Sequence, residues 1–164
     1  MSDARSRTIQ WADPSIFATS THLTGLEMLE GIRSGTLPPP PFAVLLGFRC
    51  AEAEKGRVVF EMPVQEFHYS PLNIAHGGMV SALLDTVMGC ALWSTLDKGM
   101  SYATTDLHIH FIRPLTIESG VVRAEGKVIH AGKRSATSEG RAFDEKGKLV
   151  AHGTCTCMML PSSR

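Results

Sequence analysis

The chain has 164 residues, enough for one domain with a real core and too few for two full domains. Lysine plus arginine equals aspartate plus glutamate at 16 each, so no summed charge draws the protein to nucleic acid or an anionic membrane, and an anionic ligand must be held locally. The four cysteines, Cys50, Cys90, Cys155 and Cys157, sit in apolar or strand-like surroundings, and the opening MSDARSRTIQW lacks the apolar core of a secretory signal. Together these features predict reduced thiols in a cytoplasmic protein.

In chain order, residues 1 to 20 read as a polar, irregular arm. Thr24 and Glu27 have capping-box spacing, and Leu23, Leu26, Met28, Leu29 and Ile32 supply an apolar side, predicting a helix of about ten residues before Gly35. The prolines from Pro38 to Pro41 end it. They divide an N-terminal arm with one short helix, 1–39, from a main domain, 40–164. There PFAVLLG suggests a turn or two of helix, and GFRCAEAEKGRVVFEMPV two strands joined around Lys55 and Gly56.

A long apolar helix then starts near His76 and ends before Gly99. Met79 to Leu96 is long enough to cross a bilayer, but Asp85 near its middle and the absence of a second such stretch point to the buried centre of a soluble fold. Four strand-like runs follow: YATTDLHIHFI, GVVRAEGKVIHA, SATSEGRAFDE and KLVAHGTCTCMML. Strands on short loops pair antiparallel, and a helix apolar all round must be covered by them. The fold class is therefore α+β, a curved antiparallel sheet wrapped around one long helix. In DLHIHF, Leu107, Ile109 and Phe111 share one face, and Asp106, His108 and His110 share the other, read as a polar outer face or subunit interface. Cys155 and Cys157 with His152 have the wrong spacing for structural zinc, so no metal is expected.

A short irregular segment leading into HGG, an acid nine positions after the histidine, TTDLHIHFIRP, a GKR turn and the closing GKLVAHGTCTCMM together resemble the hotdog-fold acyl-CoA thioesterases of the phenylacetate-degradation (PaaI-like) group over roughly residues 40 to 160. The resemblance implies hydrolysis of an acyl-CoA, with an aromatic or short- to medium-chain acyl group, in a homodimer with shared sites that often pairs again into a homotetramer. It places the oxyanion glycine on Gly77, with Gly78 adjacent, the catalytic carboxylate on Asp85 and an orienting hydroxyl on Thr104. His76 is expected to fix the loop, contact the thioester or cap packed structure. Many relatives carry asparagine six residues before the HGG histidine and glycine three before it, where this chain has Ser70 and Asn73. Either residue is a candidate to polarise the carbonyl.

The residues support that chemistry on their own. Free N–H groups at a helix N-terminus stabilise an oxyanion, and glycines there let a carbonyl approach. Asp85 suits either a general base or a nucleophile. Alternation counted from Leu107 points Thr105 inward instead of Thr104, so both are candidates unless a bulge intervenes. Asp85 lies roughly 12 Å along the helix from Gly77, too far for both to reach one thioester. Two antiparallel helices of a two-fold dimer solve this, which makes dimerisation obligate.

Arg113, Lys133 and Arg134 are the candidate cations for the phosphates of coenzyme A, which enters as part of the substrate, and no separate cofactor is expected. Leu83, Met88 and Tyr69 are candidate acyl walls. Two other classes are weighed: a hotdog dehydratase or hydratase, which needs a histidine where Asp85 stands, and a non-catalytic acyl-CoA-binding or sensing protein, for which the N-terminal 40 residues offer no DNA-binding element.

Overall fold

The computed structural model describes residues 4–161. Its centre is α4 (Gly77–Trp93), whose sheet-facing side carries Val80, Leu84, Val87, Met88 and Ala91, all buried. Around it β1 (Arg49–Glu54), β2 (Arg57–Pro63), β3 (Met100–Phe111), β4 (Val121–Ala131), β5 (Ser135–Phe143) and β6 (Leu149–Pro161) form one antiparallel sheet, in the order β1-β2-β4-β5-β6-β3. This is the architecture expected from the sequence.

Gly126, Gly140 and Gly153 stand in register across neighbouring strands. A Cβ on Gly126 would lie 2.1 Å from the Val87 carbonyl oxygen, and one on Gly140 2.8 Å from Met88 Cγ. The bare backbone lets the helix settle against the sheet, and larger residues there would push it away.

The N-terminal residues form a packed layer on the other side of α4. A short α1 (Ser15–Thr19) lies where an irregular arm was expected, with Asp13 accepting the Ser15 amide at 2.9 Å. This Asp–backbone bond supplies the local support that the polar composition hid. α2 (Gly25–Ser34) has the expected capping box: Thr24 accepts from the Glu27 amide, and the Glu27 carboxylate accepts from the Thr24 amide at 2.7 Å. Its first residue lies so close to the end of α4 that a Cβ on Gly25 would stand 1.8 Å from the Trp93 carbonyl oxygen. Leu29 joins the main core, Met28 is buried beside Phe17 and Leu23, and the proline run leads into α3 (Pro41–Leu46) within the same layer.

The two edges of the sheet differ. β1 is six residues long, with a register shift between Cys50 and Glu52, and its Arg49 and Glu52 join ion pairs with Glu61, Arg57 and Arg123. Short, bulged and charged edges resist further pairing. β3 is twelve residues long, and among the described residues one side has no strand beside it. No described helix is long and apolar enough to cross a membrane.

Candidate active site

The approach to α4 is held by local hydrogen bonds. The Ser70 amide donates to the Ile74 carbonyl at 2.7 Å, the Asn73 amide to the Ser70 carbonyl at 3.1 Å, and the Leu72 amide to Ser70 Oγ at 3.3 Å. Asn73 has φ +57°, a conformation that asparagine tolerates better than most residues. Both residues thus build the turn itself. Tyr69, a candidate acyl wall, uses its hydroxyl to accept from the Ile117 amide at 2.8 Å.

Behind this turn His68 is buried, with both ring nitrogens engaged. Nδ1 accepts from the Gln65 amide at 3.0 Å, which leaves the proton on Nε2, 3.0 Å from the Leu46 carbonyl. Burial pulls its pKa below the ordinary histidine value. The unfolded chain gains this proton near pH 6.5 and the folded chain only at lower pH, so the stability is full above pH 6.5 and lost as pH falls toward the folded value. Denaturation midpoints should therefore fall on acidification from pH 7.5 to 5, and His68→Gln should weaken that dependence.

His76 is the N-cap of α4: its Nδ1 accepts from the Gly78 amide at 2.9 Å. Capping is the observed role among those considered for it. The Met79 amide is also taken, by the His76 carbonyl at 2.9 Å, which leaves the Gly77 amide without a partner among the described residues. Of the two glycines, Gly77 therefore carries the available donor. Phe111 lies beside it, 3.3 Å from where a Cβ would stand.

Asp85 is half-buried two turns further along, and Thr104 Oγ1 donates to its Oδ1 at 2.8 Å. The ambiguity between Thr104 and Thr105 is settled by a register shift in β3 between Thr104 and Asp106. Thr104 pairs with buried Cys157 on the inner face, while Thr105 bonds the Thr156 carbonyl at 3.1 Å. The extra residue resets the alternation, so Leu107, Ile109 and Phe111 still face inward. Cys157 Sγ lies 3.8 Å from Thr104 Oγ1 and 3.7 Å from Cys155 Sγ. Since the Thr104 proton goes to Asp85, Cys157 is the donor to Thr104. Cys155 is pushed up by its neighbouring thiol and by burial. Thr104→Val should lower kcat on the order of ten- to a hundredfold, the worth of a hydrogen bond to a charged group, with Thr104→Ser near wild type in the same steady-state assay.

Asp85 and Thr104 open onto a cavity of about 670 Å³ between α4 and the N-terminal layer. Leu83 and Met88, the other candidate acyl walls, are not among its lining residues: both are buried, and Met88 packs on Gly140. The cavity is lined instead by residues to which the sequence reading assigned no role, including Phe48, Phe60, Trp93 and Tyr102. Cys90 lines the same cavity. Burial pushes its thiol up to about 12, and that of Cys50 up to about 11, so neither is a ready nucleophile.

The three candidate phosphate-binding cations divide between the two ends of the sheet. Arg113 follows β3 and donates to the Leu149 carbonyl. Lys133 and Arg134 lie exposed on the β4–β5 turn, beside Met158, which pairs with Ala103 near the start of β3. Roughly 30 Å of strand separates them, so one protomer cannot bring all three to one ligand.

The family profile described as Thioesterase superfamily matches residues 72–151. The chain is 33% identical over 114 residues to the proofreading thioesterase EntH of Klebsiella pneumoniae, covering 70% of this chain and 79% of that protein. It is 31% identical over 105 residues to human acyl-coenzyme A thioesterase 13, covering 63% and 74%. A phenylacetic acid degradation-related protein of Ralstonia eutropha superposes with a TM-score of 0.72 at 28% identity, covering 79% of this chain and 98% of that one. The E. coli PaaI protein shares the fold, with a TM-score of 0.74 at 20% identity, covering 85% and 99%.

Proposed function

This chain belongs to the thioesterase superfamily and is a thioester hydrolase; from that premise we propose that it cleaves acyl-CoA at a site shared by two protomers, with the Gly77 amide of one and Asp85 of the other acting on one thioester. The observation that carries this is the Thr104–Asp85 bond in the lining of a largely apolar cavity. It uses Oδ1 and leaves Oδ2 free to take a proton from water or to attack the carbonyl carbon. As negative charge develops on the carbonyl oxygen, the Gly77 amide stabilises it. Coenzyme A leaves as its thiol and the acyl group as a free acid. The scheme uses water, a carboxylate and a backbone amide, and calls for no further cofactor.

The free edge of β3 supports the dimer. Gly77 sits by Phe111 and Asp85 by Thr104, so a two-fold axis midway between those positions, near Leu107 and His108, lays β3 antiparallel to its copy. The Gly77 of one protomer then comes to the Asp85 of its partner. The same operation carries Arg113 of one protomer toward Lys133 and Arg134 of the other, which reunites the three cations around one coenzyme A. A tetramer would add a second interface to this unit. The four unpaired cysteines fit a reducing, cytoplasmic setting.

Free-thiol release from a panel of acyl-CoAs tests the reading. Turnover of at least one member by the dimer is expected, and no release from any of them would overturn it.

A further inference from the structure

We propose that the cavity between α4 and the N-terminal layer is a chamber for an extended, uncharged aliphatic acyl chain, laid along α4 from Asp85 to Trp93; this rests on the acyl-CoA reading above. Asp85, Thr86, Cys90 and Trp93 line the cavity, and Gly89, midway between Asp85 and Trp93, lies under the lining residue Tyr102, so one side of the helix faces the cavity. From Asp85 to Trp93 that side runs roughly 12 Å. A single aromatic ring beside Asp85 would fill only the first part of it, whereas an extended chain fills it to the end.

At its midpoint the floor of the chamber is the Tyr102 ring laid against the helix. A Cβ on Gly89 would stand 2.5 Å from the Tyr102 hydroxyl oxygen, so only glycine lets that tyrosine lie against the helix instead of swinging into the channel. Glycine inside a helix is a destabilising choice, by about 1 kcal/mol relative to alanine. Here it preserves the channel.

The roof belongs to the N-terminal segment: Leu29 and Ile32 from α2 and Phe42 from α3, with Phe42 edge-on to Phe48 at 6.2 Å. The cations in the lining are already paired, Arg33 with Glu30 at 2.7 Å and Arg49 with Glu61. A carboxylate or phosphate on the acyl group would find no free charge there. The N-terminal segment is thus the specificity-determining wall, setting how long a chain is accepted.

S-alkyl-CoA thioethers of two to twelve carbons, which cannot be hydrolysed, give the test by calorimetric titration. Wild-type Kd should fall about fourfold per added methylene, the worth of burying one, until the chamber is full, and then level off. Ile32→Trp, at a half-buried position on α2, should bring the levelling-off to shorter chains. Phe42→Ala, at an exposed position on α3, should flatten the slope over the distal carbons. A Kd independent of chain length, a phenylacetyl-sized thioether that binds more tightly than the decyl one, or variants with the wild-type profile would each overturn the chamber. Chain-length-dependent binding without turnover of the matching acyl-CoAs would support the chamber and remove the hydrolase reading, and turnover without length dependence would do the reverse.

Discussion

Asp85→Asn is expected to lower kcat for acyl-CoA hydrolysis by roughly a hundred- to ten-thousandfold, the usual contribution of a positioned acid–base group. The substitution is nearly isosteric. The asparagine carbonyl oxygen can still accept the Thr104 hydroxyl that now reaches Asp85 Oδ1 at 2.8 Å, so the side chain stays where it is. What is lost is the negative charge and the ability of the second oxygen to take a proton or attack. Steady-state kinetics should show the change in kcat, with KM and the melting temperature near wild type. A rate within threefold of wild type would remove Asp85 from the chemistry. Both routes open to Asp85 predict the same loss; in a single turnover in heavy-oxygen water, label incorporated into Asp85 marks a mixed anhydride hydrolysed by attack of water on the Asp85 carbonyl carbon, an outcome that a general base does not give.

How much of this could be read without coordinates differs from element to element. The central helix was legible because an eighteen-residue apolar stretch with one acid has few homes in a globular fold, and the strands because their alternating runs are bounded by short turns. The α2 cap was legible because Thr24 and Glu27 satisfy each other locally. The choice between Thr104 and Thr105 was not, because it depends on one extra residue in β3, and nothing in TTD says where the register slips. That Leu83 and Met88 stay out of the cavity lining was hidden for a related reason. Met88 and Cys90 are two positions apart and point to opposite sides of the helix, but in a helix apolar all round the sequence does not mark which side meets the sheet. That was decided by distant glycines, Gly126 and Gly140, which draw one side of α4 onto the strands and leave the other for the N-terminal layer.

A second large effect should follow from Gly77→Pro, which removes the amide proton proposed to hold the oxyanion. Gly77 is the first residue of α4, the position where proline is best tolerated in a helix, and its cap His76 has φ −64° and ψ 135°, the extended backbone that a following proline favours. A Cβ at this position would meet the Phe111 ring at 3.3 Å, and that ring is exposed in the protomer. Loss of one oxyanion donor should reduce kcat about a hundred- to a thousandfold with the fold intact. The sharper outcome comes from co-expressing this variant with Asp85→Asn. If Gly77 and Asp85 act on the same thioester from different protomers, each mixed dimer holds one site with both groups intact and one with neither. Random assortment makes half the dimers mixed, so about a quarter of wild-type activity should return from two nearly inactive parents. If both groups served a site within one protomer, every site in every dimer would lack one of them, and the mixture would stay as slow as its parents. The roughly 12 Å between Gly77 and Asp85 along α4 decides in advance which result to expect, because a single thioester cannot span it.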